Sequence, residues 1–419
     1  MKAGLGLLVR RSLREHAVST AITVASVGLA TGLVLAVFAI QAQSQRAFSA
    51  GPLGFDAVLG ARGSPLQLVL NAVFHLETSP GNLPWALYEA IEQHPQVERA
   101  IPYAVGDNHR GFRIVGTVRD LFEPIDGREA AVLRVAAGGR LFDPARREAV
   151  IGSTVARETE LAVGDTFHPH HGLVFDASAR HDDAYVVTGV LAPSNTPADR
   201  VLWIPLDGVY RMSGHVLRGS GEAHTAEADS TIPDAHKEVS AVMLKLAAPQ
   251  AGFFLDQTIN KQGKVATLAW PIPAIMADLF DKLGWAVRVL GLVAYLVVLV
   301  AAGSIVASLV NTMNERRRDF AVLRALGAHR RTISAAIVLE TASIGAAGAL
   351  LGFGVYAAIF ALARTLVHDE TGVVLDPWAW HPVFALAPAS VVLLSAAAGL
   401  VPARLAYRTD VATHLAPPG

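Results

Sequence analysis

The sequence predicts a membrane α-helical protein: four transmembrane helices plus a large extracytoplasmic α+β domain inserted between helices 1 and 2. Three observations predict it. Four charge-poor apolar runs each approach or exceed the about 20 helical residues that a bilayer core requires. Basic residues flank these runs on what a four-span count makes one side. Residues 44–283, between the first and second runs, are numerous enough for one or two compact units. Composition agrees, since 52% of residues are hydrophobic, only 17% are charged and mean hydropathy is +0.39. A net charge of −1 argues against a nucleic-acid partner. The chain has no cysteine, which excludes disulfides and thiolate metal sites.

Taken in order, residues 1–16 mix apolar and basic side chains at helical spacing over 5–14, as an interfacial helix on the inner leaflet would. Helix 1 occupies 17–43, and its run 18–40 carries no charge. That run exceeds the about 7–15 apolar residues of a signal peptide, so a span is the better reading. Helix 2 occupies 284–313, helix 3 332–366 and helix 4 380–403, the last with Pro388 inside it. A charge at a span's centre costs roughly 2.5–3.5 kcal/mol, so runs this poor in charge are selected rather than accidental. Lys2, Arg10, Arg11 and Arg14 precede helix 1. Arg316, Arg317, Arg318, Arg324, Arg330 and Arg331 lie between helices 2 and 3, and Arg404 and Arg408 follow helix 4. All three groups fall on one side, the cytoplasm, with both termini. The domain at 44–283 and a short loop at 367–379 then lie outside, and 404–419 forms a cytoplasmic tail.

Within the external domain, Pro84 opens a helix over 84–94, and a short helix is read over 154–161. Strands are read at 111–118, 184–191, 201–204 and 239–246. Residues 211–237, rich in Gly, Ser, Ala, His and Asp, read as a mobile loop. The irregular alternation favours α+β over a doubly wound sheet.

The cytoplasmic segment 314–331 is short, basic and helical in spacing. Phe320, Leu323, Leu326 and Gly327 fall near one face, while Arg317, Ala321, Arg324 and Ala328 fall on another. Gly327 suits a helix stop because it tolerates the left-handed conformation. Charge placement alone would satisfy the positive-inside rule, but the mixed face is what a second chain would touch. In helix 3, Gly345, Gly348 and Gly352 (with Gly354 nearby) would allow close backbone approach, a packing face. Glu340 is the one carboxylate within that run. It is read as a near-interface group paired with Arg324 or Arg331 rather than as a buried proton or ion site.

With these residues in view, the chain resembles the FtsX-type ABC transporter permeases, the mechanotransmitting group that includes MacB and the lipoprotein-releasing LolC/LolE. Residues 315–328, between a long span and one carrying Glu340, resemble the core of that family. Residues 83–102, 148–165 and 186–205 resemble the MacB-like periplasmic domain, and Pro402-Ala403-Arg404 with Leu415 resembles the family's C-terminal end. The resemblance implies a bacterial inner-membrane permease with its large domain in the periplasm. It also implies a dimer with a second copy or a paralogue, and a cytoplasmic ABC ATP-binding subunit docked on each chain. This chain has no Walker A motif, since Gln262-Gly263-Lys264 lacks the earlier glycine and the following Ser or Thr. ATP and Mg²⁺ therefore belong to the partner, no cofactor is expected here, and the chain is not read as an enzyme. Under the resemblance, Glu315, Arg316, Arg317, Asp319, Phe320, Leu323, Arg324, Leu326 and Gly327 are the ATPase-coupling residues. The expected activity is efflux or extraction of a substrate at the outer face of the inner membrane, with a periplasmic protein or lipoprotein among the expected partners. The alternatives are an FtsX-like signalling subunit acting on an extracytoplasmic partner, or a zinc-linked member of the family.

The zinc alternative rests on histidines. Ten of the fifteen lie in the external segment, and His168, His170, His171 and His181 crowd together in sequence. Imidazole and carboxylate ligands suit Zn²⁺, though the spacing fits no fixed zinc motif and a solvated polar loop is the preferred reading.

Overall fold

The structure is a computed structural model that describes residues 2–49, 52–125, 133–213, 232–315, 329–371 and 373–407. In chain order, helices α1 (Lys2–Glu15) and α2 (Ala17–Ser49) come first. Then follow β1 (Ala57–Ala61), α3 (Pro65–Ala72), β2 (Leu83–Pro84), α4 (Trp85–Glu92), β3 (Val97–His109) and β4 (Phe112–Thr117). Next are β5 (Glu148–Ile151), α5 (Ser153–Thr159), β6 (Thr166–Phe167), β7 (His170–His171), β8 (Tyr185–Val190), β9 (Val201–Pro205) and α6 (Leu206–Tyr210). The chain continues through β10 (Glu238–Val239), β11 (Ala241–Leu246), α7 (Ala251–Asp256) and β12 (Ala266–Ala269). It ends with α8 (Ile272–Glu315), α9 (Arg330–Thr371), α10 (Val383–Ala398) and α11 (Leu400–Tyr407). Contacts divide the chain into two units: Met1–Ser44 with Leu283–Thr365 and Leu375–Gly419, and Gln45–Lys282 with Leu366–Val374.

The second unit is built on one ten-stranded sheet in the order β12-β1-β11-β3-β4-β9-β5-β8-β6, with β7 added onto β3. Pairing is antiparallel except for β4/β9 and β5/β8. β1, β4, β5 and β9 are buried along their whole length. Such strands read as apolar runs rather than as alternation because both sheet faces are covered. One face carries a continuous core that includes Ile101, Tyr103, Val115, Trp203 and Met243, with Leu68 and Val69 of α3 on top. The opposite face divides in two. Around Leu59, Val242, Leu244 and Leu268 it is covered by Tyr88 and Ile91 of α4. Around Ile114, Ile151, Leu202 and Ile204 it is covered by Val155 of α5 and Val209 of α6.

Local chemistry explains the covering helices. Ser64 caps α3, its hydroxyl accepting from the Gln67 N–H, and Pro65 takes the first position, where its missing N–H costs nothing. Gly60 in β1 leaves the space into which Leu68 packs. The helix read at 84–94 is α4, and the one at 154–161 is α5. The four strands read from the sequence are β4, β8, β9 and β11. Short β1 was not legible, because its small residues Ala57, Gly60 and Ala61 give no strand signal until the sheet is formed. The helix holding the second apolar run begins at Ile272, ahead of residue 284. Asp278, Asp281 and Lys282 end the hydropathy run, but the helical period continues through them, and Ile272 and Met276 pack into the sheet core.

In the other unit, four helices are long and apolar enough to cross a membrane, over Ala17–Arg46, Ile272–Ala307, Arg331–Thr371 and Val383–Arg404. Their outward residues include Leu290, Leu296, Leu299, Val300, Leu350 and Leu393, all exposed. An apolar exterior of this kind is stable where lipid or another apolar surface covers it. The fourth apolar run is two helices, α10 with Pro388 inside it and α11, divided at Gly399.

Candidate functional site

Two places gather the residues that the sequence singled out. The first lies at the edge of the sheet, where β3 carries a bulge between Val105 and Asp107. Beyond it β7 pairs with β3, setting Asp107 opposite His171 and Asn108 opposite His170. The Gly172 N–H donates to the Gly106 carbonyl at 2.8 Å and the Asn108 amide donates to the Gly172 carbonyl at 2.8 Å, which fixes that register. Directly opposed residues share a sheet face, so Asp107 and His171 meet. His171 Nδ1 lies 3.4 Å from Asp107 Oδ1, and His181 Nε2 lies 3.2 Å from the same oxygen. The three ligand atoms lie within 4.8 Å of one another.

His181 is held firmly. Its backbone N–H donates to the Pro169 carbonyl at 2.9 Å, and its Nδ1 lies 2.8 Å from the Ser213 carbonyl. A carbonyl accepts only, so Nδ1 carries the proton there and a neutral ring turns the Nε2 lone pair toward the Asp107 carboxylate. Two acceptors then face each other, and a bound proton or a cation resolves the conflict. Accordingly, the hydrogen bond to Asp107 raises the His181 pKa above its ordinary value, outweighing burial, which lowers it. Asp107 is 2% exposed and His181 7%, whereas the His171 side chain is 65% exposed. The group is rooted in the core, with His171 at its exposed end.

The other two crowded histidines go elsewhere. His170 sits against the Phe175 ring at 4.7 Å, and the His168 carbonyl lies 3.0 Å from His109 Nδ1. Burial lowers the His109 pKa, and its ring packs on Phe167 at 5.2 Å. One-residue alternation along β7 separates His170 from His171. Asp183, one of the carboxylates that follow His181 in sequence, is a structural ion pair: it holds Arg147 at 2.5 Å and accepts the Ser213 N–H at 2.8 Å. Asp107 was missed in the sequence. Its signal there was the polar triplet Asp107-Asn108-His109 closing a long apolar strand.

The second place is a seam between α2 and α9. A methyl at Gly352 would lie 2.7 Å from Thr31 Cβ, and one at Gly32 would lie 2.5 Å from Val355 Cβ. Gly28 opposes Leu351 at 2.9 Å, and Gly348 opposes Val27. Gly345 instead faces Ser395 of α10, where an added methyl would meet Oγ at 2.5 Å. Gly354 opens on space. Gly28 and Gly32 carry the α2 half of the seam and were not singled out from sequence, although their four-residue spacing is the small-residue pattern that lets helices approach. Glu340 is buried and accepts the Ser12 hydroxyl of α1. Of its expected partners, Arg324 lies outside the described residues. So do the proposed coupling residues Arg316, Arg317, Asp319, Phe320, Leu323, Leu326 and Gly327, whereas Glu315 closes α8. Residues 214–231 of the histidine-bearing loop also lie outside.

Together these features define a membrane protein with apolar spanning helices and a large mixed-sheet domain. A family model for the FtsX-like permease C-terminal region matches residues 291–410, and one for the MacB-like periplasmic core domain matches residues 20–250. The chain belongs to the FtsX/MacB-type ABC transporter permeases. No curated protein sequence matches it significantly. Among solved structures it is similar to the periplasmic region of MacB from Actinobacillus actinomycetemcomitans, at 10% identity and a TM-score of 0.32, over 58% of this chain and 95% of that one. It is also similar to the extracellular domain of the noncanonic ABC-type transporter YknZ from Gram-positive bacteria, at 14% identity and a TM-score of 0.28, over 51% of this chain and 99% of that one.

Proposed function

We propose that this chain is the membrane subunit that carries ATP-driven motion of a separate ATPase to its MacB-like domain, driving efflux or extraction of a substrate at the outer face of the inner membrane. In this reading the sheet domain is inserted between helices 1 and 2 on the periplasmic side. Both termini are cytoplasmic, and two permease chains pair. The observation that carries it is the combination of permease spans and a MacB-like domain in one chain that lacks a Walker A motif. In this reading the ATPase docks on the basic segment 314–331, where apolar and cationic residues alternate at helical spacing in the sequence.

The test is co-purification of the ATPase with variants in which Arg317, Phe320 and Arg324 are all replaced by alanine. Loss of the ATPase is expected, and unchanged co-purification with unchanged ATP hydrolysis would sink the coupling assignment. Sidedness is tested separately. Because the sequence has no cysteine, Ala177→Cys and Ala328→Cys each introduce a single thiol. An impermeant maleimide is expected to label the first from the periplasm and the second only after the inner membrane is opened.

A further inference from the structure

We propose that Asp107, His171 and His181 form a binding site for a divalent transition-metal cation of the zinc type, a role independent of the coupling segment. The donor set is two imidazole nitrogens and one carboxylate oxygen, the chemistry that borderline cations prefer. The spacing fits. Metal–ligand bonds of about 2.0–2.1 Å in a tetrahedron place neighbouring ligand atoms about 3.3 Å apart. The distances from Asp107 Oδ1 to His181 Nε2 and to His171 Nδ1 are 3.2 and 3.4 Å.

Orientation fits as well. The Ser213 carbonyl takes the Nδ1 proton of His181 at 2.8 Å. An outer hydrogen bond of this kind fixes the tautomer and points the other nitrogen's lone pair at the metal. The three residues come from separate stretches of chain: the bulged end of β3, the two-residue strand β7 and the segment before β8. Asp107 and His181 are buried against the sheet, while the His171 side chain is largely exposed. A cation held there ties β7 and the His181 segment to β3.

The experiment uses the full chain in detergent, stripped with a chelator and titrated with Zn²⁺ by calorimetry, with thermal unfolding measured in parallel. Wild type is expected to bind zinc saturably and to unfold at a higher temperature with it, as any ligand of the folded state produces. His171→Gln and Asp107→Asn are each expected to weaken one binding step by about tenfold or more. His168→Gln is expected to leave that step unchanged. His171 is largely exposed, so its replacement leaves the core intact and its result stands even where Asp107→Asn disturbs folding. If His171→Gln binds zinc with wild-type affinity and stoichiometry, or wild type binds none, the site is a histidine–carboxylate ion pair and the proposal is overturned.

Discussion

The sheet domain and the membrane helices are both rich in apolar residues, but they place them in opposite ways. The domain drives its largest side chains inside: Trp203, Tyr103, Tyr185 and Phe142 are all under 2% exposed. The helices turn Leu290, Leu299, Val300 and Leu393 outward and meet one another through glycines. In water, burial of apolar area drives folding, so bulk belongs in the core. In lipid the surroundings are as apolar as leucine, so helices gain by close backbone approach, and small residues line the contact. The same residue type therefore contributes differently in the two regions.

The largest effect expected from that contrast is in the sheet core. Trp203→Ala should cost about 3–5 kcal/mol, as for other buried aromatics truncated to alanine. Trp203→Phe should cost much less, because the indole N–H has no partner among the described residues. Thermal unfolding of the two variants side by side checks the order, and equal losses would show that the core is not packed as described.

In the membrane unit the direction reverses, and adding bulk is what does damage. Gly352→Leu should cost about 1–3 kcal/mol by forcing α9 away from Thr31 of α2. Gly354→Leu, which opens on space, serves as the internal control and should leave the unfolding midpoint near wild type. If both glycines tolerate leucine, the seam is not close-packed.

A third effect belongs to the sheet domain alone. The His75 ring lies against Tyr103 and Trp203, at 6.4 and 5.7 Å between centroids, and burial, reinforced by the Arg113 charge, pushes its pKa down to about 3. The unfolded chain takes up that proton near 6.5, so His75's contribution to stability is full above 6.5 and is lost as pH falls toward 3. The slope from this group is at most about 1.4 kcal/mol per pH unit. His75→Asn keeps a residue that tolerates the backbone φ of 55° and should flatten the stability difference between pH 7 and pH 5. An unchanged slope in that variant would assign the acid sensitivity to other groups.

The smallest effect sharpens the comparison most. Leu299→Ala on the exposed side of α8 should change stability by no more than about 0.5 kcal/mol. A buried leucine of the sheet such as Leu59 should cost about 2–5 kcal/mol on the same change. A large loss at Leu299 would mean that this face packs against protein instead of lipid.

Legibility in the sequence followed the range of the interaction. The four apolar runs were readable because hydropathy over about 20 contiguous residues is a local property. α4, α5, β4, β8, β9 and β11 were readable from short periodic runs and their bounding turns. His171 and His181 were noticed as part of a crowded stretch, but their carboxylate was not, because Asp107 lies far away in sequence and reaches them only through the pairing of β3 with β7. His168 and His170 were grouped with them on proximity in the chain, and the sheet sends them to a different neighbourhood. Ser12 was likewise not foreseen as a partner of Glu340, since that contact joins α1 to α9 across most of the sequence.

By itself the sequence determined the number of candidate spans, the absence of thiol chemistry and of a Walker A motif, and the mixed class of the sheet domain, since each depends on composition or on neighbours along the chain. The tertiary structure alone decided which donors converge at Asp107 and which glycines form the α2–α9 seam. The reason is register. A strand shifted by one residue exchanges its two faces, and helices meet through residues a full turn or more apart. Those placements exist only once the chain has folded back on itself.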